Sequence, residues 1–318
     1  MLDPGLNDFS YLEDYQRDNA LFLFKPNPGG QYKAWTSPKP AKYVLGGNSA
    51  GKTYLLLMFA AGFLIEHPQD KGYAYWPHVP GDENLTADLR DKWRIKLPSN
   101  VWLSEESRKT HRDIVMGGWD RPDRMGLVEI LGRRVRQPVK WSDEGGVWDF
   151  VEVEPYGSRL TLKTAQSGPA GYAGPPVDLG LIDEPHNPAI VKEMLARVAK
   201  AGGMLIYACT PVVDMEKPES WNNIMWLKTE ILSKGNTDVV EIITGMSIDD
   251  NVALTPGRRD FIKSLLTSSG MSREEQMTRL TGAIEIEAGM KFFDTNMIET
   301  LLQQTREPET GYLEVNND

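Results

Sequence analysis

The chain of 318 residues has a single cysteine, Cys209, so no internal disulfide can form. It has four histidines, His67, His78, His111 and His186, scattered without the spacing of a zinc site. No apolar run approaches the ~18 residues of a membrane span. The longest, around Leu55 to Ile65, suits a buried helix. Met1-Leu2-Asp3-Pro4 offers neither a basic region nor an apolar core, so the start is not that of a secretory signal. Reduced cysteine and no leader together give a cytosolic site of action as the simple expectation. A positive balance is also missing. The formal net charge is −10, which argues against a wholly basic nucleic-acid-binding surface. The deficit is uneven. Residues 90–140 hold 13 Lys/Arg against 7 Asp/Glu, a local +6, which leaves −16 for the rest. That basic middle reads equally as a phosphate-backbone surface or as a solvated charged face.

What is present is an ordinary globular composition, 40% hydrophobic and 25% charged, long enough for a large core domain and a smaller piece. Its organising stretch is Tyr43-Val44-Leu45 followed by Gly46-Gly47-Asn48-Ser49-Ala50-Gly51-Lys52-Thr53 and then an apolar run. This satisfies G-x-x-x-x-G-K-[ST] in the context the motif requires, after a strand and before a helix. Glycines let backbone N–H groups turn inward around phosphate oxygens. The helix N-terminus adds free N–H groups and partial positive charge. Lys52 is expected to reach the β- and γ-phosphates of ATP, and the Thr53 hydroxyl to ligate Mg2+.

The second informative stretch is Val177-Asp178-Leu179-Gly180-Leu181-Ile182-Asp183-Glu184-Pro185. It reads as a buried strand carrying carboxylates at its C-terminal edge, where open α/β sheets bind ligands. Asp183 is the candidate for Mg2+, directly or through water. Glu184 is the candidate general base for the attacking water. Met204 to Pro211 reads as another core strand, whose terminal Thr210 could sense the γ-phosphate. Around these, the pattern predicts helices over 52–66, 85–97, 188–199 and 221–233, and strands over 72–76, 127–139, 149–162 and 239–244. A polar turn is expected at 247–251, with short helices at 256–266 and 272–280, the second opened by a capping box at Ser272-x-x-Glu275. An N-terminal arm over 1–20, a hairpin over 283–293 and a last helix over 294–304 complete the reading. No internal repeat is evident.

The ordered set resembles a known family. Pro26-Asn27-Pro28-Gly29-x-Gln31 is followed by the glycine-rich loop, Asp183-Glu184-Pro185, Thr210-Pro211, Asp250-Asn251 and Arg279-x-x-Gly282 before a Gly-x-x-Phe segment. This is similar to the ATPase half of the large terminase subunit of tailed bacteriophages, over about residues 24–293. The resemblance implies an α/β P-loop NTPase of RecA-like (ASCE) type, with a mostly parallel central sheet flanked by helices. Residues 1–245 would be the ATPase core with its N-terminal arm, and 246–318 a lid or linker subdomain and tail. Gly46 to Thr53 and Gln31, the last against adenine, would bind ATP. Lys52, Glu184 and Thr210 would act in hydrolysis and its coupling to movement, with Thr53 and Asp183 on Mg2+.

The implied partners are double-stranded DNA, a portal protein, a small terminase subunit and further copies in a ring, in the host cytoplasm and away from membranes. There are departures. Ser49 stands where the family often has a basic residue, and Ala173 where many relatives carry an arginine that reaches a neighbouring subunit's ATP. Arg159 and Arg197 are substitute candidates. After Phe293 the remaining tail is too short for the family's nuclease domain of ~100 residues or more. The expectation is a motor half without its nuclease, by truncation rather than a split gene. Two alternatives stay open: a helicase-like or other P-loop NTPase, and a module that binds ATP for assembly with little turnover.

Overall fold

The computed structural model describes residues 19–115, 126–136, 141–142, 147–213 and 218–284. The expected N-terminal arm up to residue 18, most of the hairpin over 283–293 and the last helix lie outside them.

The phosphate-loop strand β1 spans Ala41–Gly46, all six residues buried. It lies inside a sheet whose other strands, in chain order, are β2 (Asn100–Glu105), β3 (Val135–Arg136), β4 (Phe150–Val153), β5 (Ser158–Thr164), β6 (Leu179–Asp183), β7 (Met204–Cys209) and β8 (Val240–Met246). The spatial order is β8-β1-β7-β6-β2-β5-β4-β3. The six strands from β8 to β5 pair in parallel, and β4 and β3 extend them antiparallel. Strands covered on both faces must be apolar throughout, and β6 and β7 are buried at every position. Parallel pairing also has a functional consequence. Gly46, Glu105, Asp183 and Cys209 end four neighbouring strands on one edge of the sheet, the edge where such folds bind ligands.

The helix after β1, α2 in a series that begins with α1 (Gly30–Thr36), spans Lys52–Leu64. Eleven of its 13 residues are buried, so it is apolar all round and belongs to the centre of the core. Aromatic rings pack about it. Phe63 stacks on Trp76 with centroids 5.2 Å apart, and Phe59 lies 4.7 Å from Trp35. One core residue is out of character. Lys42 on β1 is fully buried, its Nζ 2.7 Å from Met204 Sδ, 5.5 Å from the Phe59 ring centroid and 5.4 Å from that of Trp76. Burial drives its pKa well below the ordinary lysine value, with the Glu241 carboxylate acting against that.

Most predicted elements form, including the helix Pro188–Ala201; the helix expected over 85–97 forms as α3 (Glu83–Lys92) and stops short of Trp93 and Leu97. The strand expected over 127–139 does not form as such. Leu127–Leu131 is a helix, Gly132–Arg134 a tight 3-10 turn, and only Val135–Arg136 is extended; residues 137–139 lie outside the described part. The apolar residues had been read with period two. Leu127, Ile130 and Leu131, the buried ones, instead fit the helical i, i+3, i+4 pattern. The Glu129 carboxylate accepts from Gly126 N at 2.8 Å and closes the first turn. A strand the sequence reading left out, β2, holds the middle of the sheet between β6 and β5.

Two helices follow β8 in the described chain. They are Pro256–Ser268, capped by Thr255, and Arg273–Thr281, capped by Ser272 Oγ accepting from Glu275 N at 3.1 Å, as the capping box predicts. The second ends in left-handed Gly282, which lies directly on Gly46. A Cβ at Gly282 would stand 2.3 Å from Gly46 Cα.

Candidate nucleotide site

The loop between β1 and α2 turns through two left-handed residues, Ser49 at φ 59° and Gly51 at φ 87°. Gly51 is the N-cap of α2 and no side chain caps the helix, so its first N–H groups stay open for an anion. A Cβ at Gly51 would come within 2.4 Å of Gln31 Nε2, so glycine is needed there for space as well as for φ.

The structure brings the predicted residues together. Lys52, 6% exposed, donates to Gly47 O at 2.9 Å and to Thr210 Oγ1 at 2.8 Å. The Thr210 hydroxyl in turn donates to Asn48 Oδ1 at 3.3 Å. Thr53 Oγ1 donates to Asp183 Oδ2 at 2.6 Å. Glu184 is exposed, and its Oε2 accepts from Thr210 N at 3.0 Å. Two adjoining sets of bonds thus run from the phosphate loop to the ends of β6 and β7. Glu184 itself is held at φ 66°, a costly conformation for a residue with a side chain and one that concentrates at functional sites.

Asp183 is buried, and its carboxyl is pushed up to about 7. Burial is the main cause and the neighbouring Glu184 charge the next; the Thr53 hydroxyl and Lys52 act the other way. Its Oδ1 has no hydrogen-bond partner among the described residues. A free buried carboxylate oxygen beside a threonine hydroxyl suits a small divalent cation that keeps most of its waters. Among the described residues no three His, Cys, Asp or Glu side chains form a direct metal cage.

Gln31 is buried under the loop. Its Oε1 accepts from Asn27 N at 2.8 Å and its Nε2 donates to Gly51 O at 2.8 Å. These two bonds make it a brace of Gly51, and one amide proton and one lone pair remain for any base. The loop is braced from the C-terminal side as well. Gly47 N donates to Met246 O, Asn48 N to Arg279 O, and Asn251 Nδ2 to Ser49 O at 2.7 Å.

The two substitute arginines are placed elsewhere. Arg159, near the start of β5 opposite Asn100, lies at the sheet edge away from the loop, its guanidinium 3.7 Å from the Phe150 ring centroid. Arg197 is tied to Gly174 O at 3.1 Å and to Glu193. Part of the basic middle is neutralised by acids outside residues 90–140. Arg94 pairs with Asp70, Arg108 with Asp149, and Arg136 with Glu152 and Glu154.

Sequence reasoning missed a buried polar chain beneath the site. His186 Nδ1 lies 2.9 Å from Glu184 O and its Nε2 2.8 Å from Ser104 Oγ, which also contacts Tyr172 OH. A carbonyl can only accept, so Nδ1 carries the hydrogen and donates to it, and in the neutral ring Nε2 accepts from Ser104 Oγ. Burial holds its pKa down at about 4, in keeping with that tautomer. The chain links the turn holding Glu184 to Tyr172, beside Ala173. It missed Glu105 too, a buried carboxyl ending β2. The signal was there: Val101-Trp102-Leu103-Ser104-Glu105 is an apolar run ending in an acid, like the run before Asp183. Cys209 is enclosed and its thiol pKa is raised by burial, which leaves it inert.

No curated protein is significantly similar to this chain in sequence. Among solved structures, a large terminase from a thermophilic bacteriophage in complex with ADP is 14% identical, with TM-score 0.48 over 80% of this chain and 52% of that one. The bacteriophage HK97 large terminase is 13% identical, with TM-score 0.43 over 77% of this chain and 46% of that one. The chain therefore spans about half the length of the structures it matches. The family model described as "Terminase large subunit, T4likevirus-type, N-terminal" matches residues 43–296, from the phosphate-loop strand past Gly282. With that match running over well more than half of its length, the chain belongs to the terminase large-subunit family and carries the N-terminal part of it.

Proposed function

We propose that the chain hydrolyses ATP to drive double-stranded viral DNA into a procapsid. The observation that carries this reading is two adjoining sets of bonds on one sheet edge, Lys52–Thr210–Glu184 and Thr53–Asp183. The open N–H groups of α2 and Lys52 would bind the β- and γ-phosphates, with Gly46 to Thr53 wrapping them. Thr53 and Asp183 would hold Mg2+, which when bound neutralises charge developing on the β- and γ-oxygens. Glu184, exposed and held by Thr210 N, would take the proton of a water attacking the γ-phosphorus. The new O–P bond forms as the bond to the β-phosphate oxygen breaks and ADP leaves. Gln31 would place the adenine edge through its remaining amide proton and lone pair.

Residues from about 246 would act as the lid that reports the state of the loop, since Met246, Asn251 and Arg279 all bond to it. Ala173 leaves an identical neighbour in a ring without the family's arginine, and Arg159 and Arg197 are tied up away from the loop, so a catalytic cation, worth about 10³–10⁵ in rate where such a group is measured, would have to come from another position. Portal protein, small terminase subunit and a place in the host cytoplasm follow with the packaging role.

Turnover of ATP by the wild type and by Glu184→Gln tests the reading. The expected result is nucleotide binding in both and hydrolysis in the wild type alone; equal rates overturn the role of Glu184. A second reading, ATP bound for assembly with little turnover, draws on Ser49 and Ala173, which bring no second cation to the phosphates. It requires that no hydrolysis appear even in the procapsid-bound ring.

A further inference from the structure

Glu105 ends β2, which runs parallel to β6 with Leu103 beside Leu181 and Ser104 beside Ile182. The next step of that register puts Glu105 beside Asp183, and side chains of adjacent in-register residues point to the same face. Glu105 is 1% exposed, and its Oε1 has no hydrogen-bond partner among the described residues. Asp183 Oδ1, on the neighbouring strand, is equally without one. Two buried carboxyl oxygens without donors at one corner are expensive, because each gives up hydration for nothing in return. Burial first, and then the charges of Asp183 and Glu184, hold the Glu105 carboxyl well above the ordinary glutamate range. A carboxyl retained only for packing would be satisfied by a neighbouring N–H or replaced by an apolar side chain at no loss.

We propose that Glu105 is a positioning residue of the hydrolytic site: its Oε1 accepts a hydrogen bond from a water in the shell of the divalent cation held by Thr53 and Asp183. The inference rests on the ATPase reading above. Such outer partners orient the ligands proper, and their loss weakens metal binding about 10- to 100-fold. Through that water Glu105 would fix the cation relative to Glu184 without touching the nucleotide.

The test compares the wild type with Glu105→Met and Glu105→Gln. Mn2+ affinity is measured by paramagnetic resonance in the presence of ADP, ADP affinity is measured in EDTA, and thermal unfolding is recorded without ligand. Glu105→Met is expected to unfold at a higher temperature than the wild type, because an unsatisfied carboxyl has gone, yet to bind Mn2+ at least about tenfold more weakly. ADP affinity in EDTA should stay the same. Glu105→Gln keeps one acceptor oxygen and should fall between the two, and it carries the comparison if the Met variant does not fold. Unchanged Mn2+ affinity in a folded variant overturns the proposal, as does a lower unfolding temperature with metal affinity intact, the mark of a structural role. A wild type that binds neither ADP nor Mn2+–ADP overturns the ATPase reading itself, and with it the place of Glu105.

Discussion

Lys52 Nζ donates to Thr210 Oγ1 across 2.8 Å, joining the start of α2 to the end of β7. The lysine proposed to meet phosphates is thus parked on a threonine whose backbone N–H holds Glu184. Binding of a polyphosphate would draw Lys52 away from the hydroxyl and leave Thr210 with Asn48 alone. On the proposed reading Thr210 would be the joint between phosphate sensing and the carboxylate. Thr210→Val keeps shape and backbone but deletes the hydroxyl. Nucleotide affinity should rise, since the ligand-free protein no longer has the bond that competes for Lys52, while ATP turnover should fall up to about tenfold, the worth of the remaining neutral bond to Asn48. Turnover equal to that of the wild type would remove Thr210 from the coupling.

Gly282 offers a sharper probe of the contact between the phosphate loop and the segment beyond β8. Its φ is 67° and an added Cβ would meet Gly46 backbone at 2.3 to 2.5 Å. Gly270, at φ 74°, has nothing within 4 Å of such a Cβ. Both alanine variants incur left-handed strain of about 1 kcal/mol. Gly282→Ala must in addition push the loop or the helix end aside. Urea denaturation should show Gly270→Ala losing about 1 kcal/mol with ATP affinity intact. Gly282→Ala should lose more, with ATP binding weakened about tenfold or beyond. Equal behaviour of the two would mean that the close approach has no bearing on the site.

Lys42 is a cost within the core. Its amine is enclosed by Phe59, Trp76 and Met204, and burial holds its pKa down. The unfolded chain keeps the proton that the folded chain has shed, so this group adds stability as pH climbs toward the ordinary lysine value of about 10.4. Lys42→Met fills the same space without that proton. It should be more stable than the wild type at pH 7, by on the order of 1–2 kcal/mol, with the gap closing toward pH 10. Denaturation curves at pH 7 and pH 9.5 decide it. A variant less stable than the wild type at pH 7 would show that the amine is needed where it is.

The two strand-end motifs were legible because their chemistry is tied to local order. A glycine-rich turn before a helix, and an apolar run ending in Asp183-Glu184, announce themselves over a few residues. Their union was legible only through the parallel sheet, which brings Gly46, Asp183 and Thr210 together from far along the chain. Glu105 had a local signal, an apolar run ending in an acid, but no second acid or motif beside it to set it apart, and nothing local separates the buried His186 from an ordinary histidine. Their meaning comes from what they face, Asp183 in one case and Glu184 O and Ser104 in the other. Leu127–Leu131 was misread for a different reason: five residues fit two periodicities, and the packing of Ile130 and Leu131 into the core decided between them. Gln31 shows the limit from the other side. Its position in the motif order was evident, but its bonds to Asn27 and Gly51 follow from tertiary packing alone.

Asp183 gives the site a dependence on pH with a definite sign. Its carboxyl is raised to about 7, chiefly by burial and then by Glu184, so below that pH it carries a proton in the ligand-free protein. Holding a divalent cation requires the carboxylate, so metal–nucleotide binding must expel that proton. Affinity for Mg2+–ADP should therefore rise with pH up to about 7 and level off above it. Calorimetric titrations at pH 6.5, in two buffers of different ionisation enthalpy, should show net proton release. The release should vanish in Asp183→Asn, which also loses metal affinity but retains binding of ADP in EDTA. Proton uptake, or an affinity that falls as pH rises from 6 to 7, would contradict the assignment of Asp183 as the buried partner of the cation.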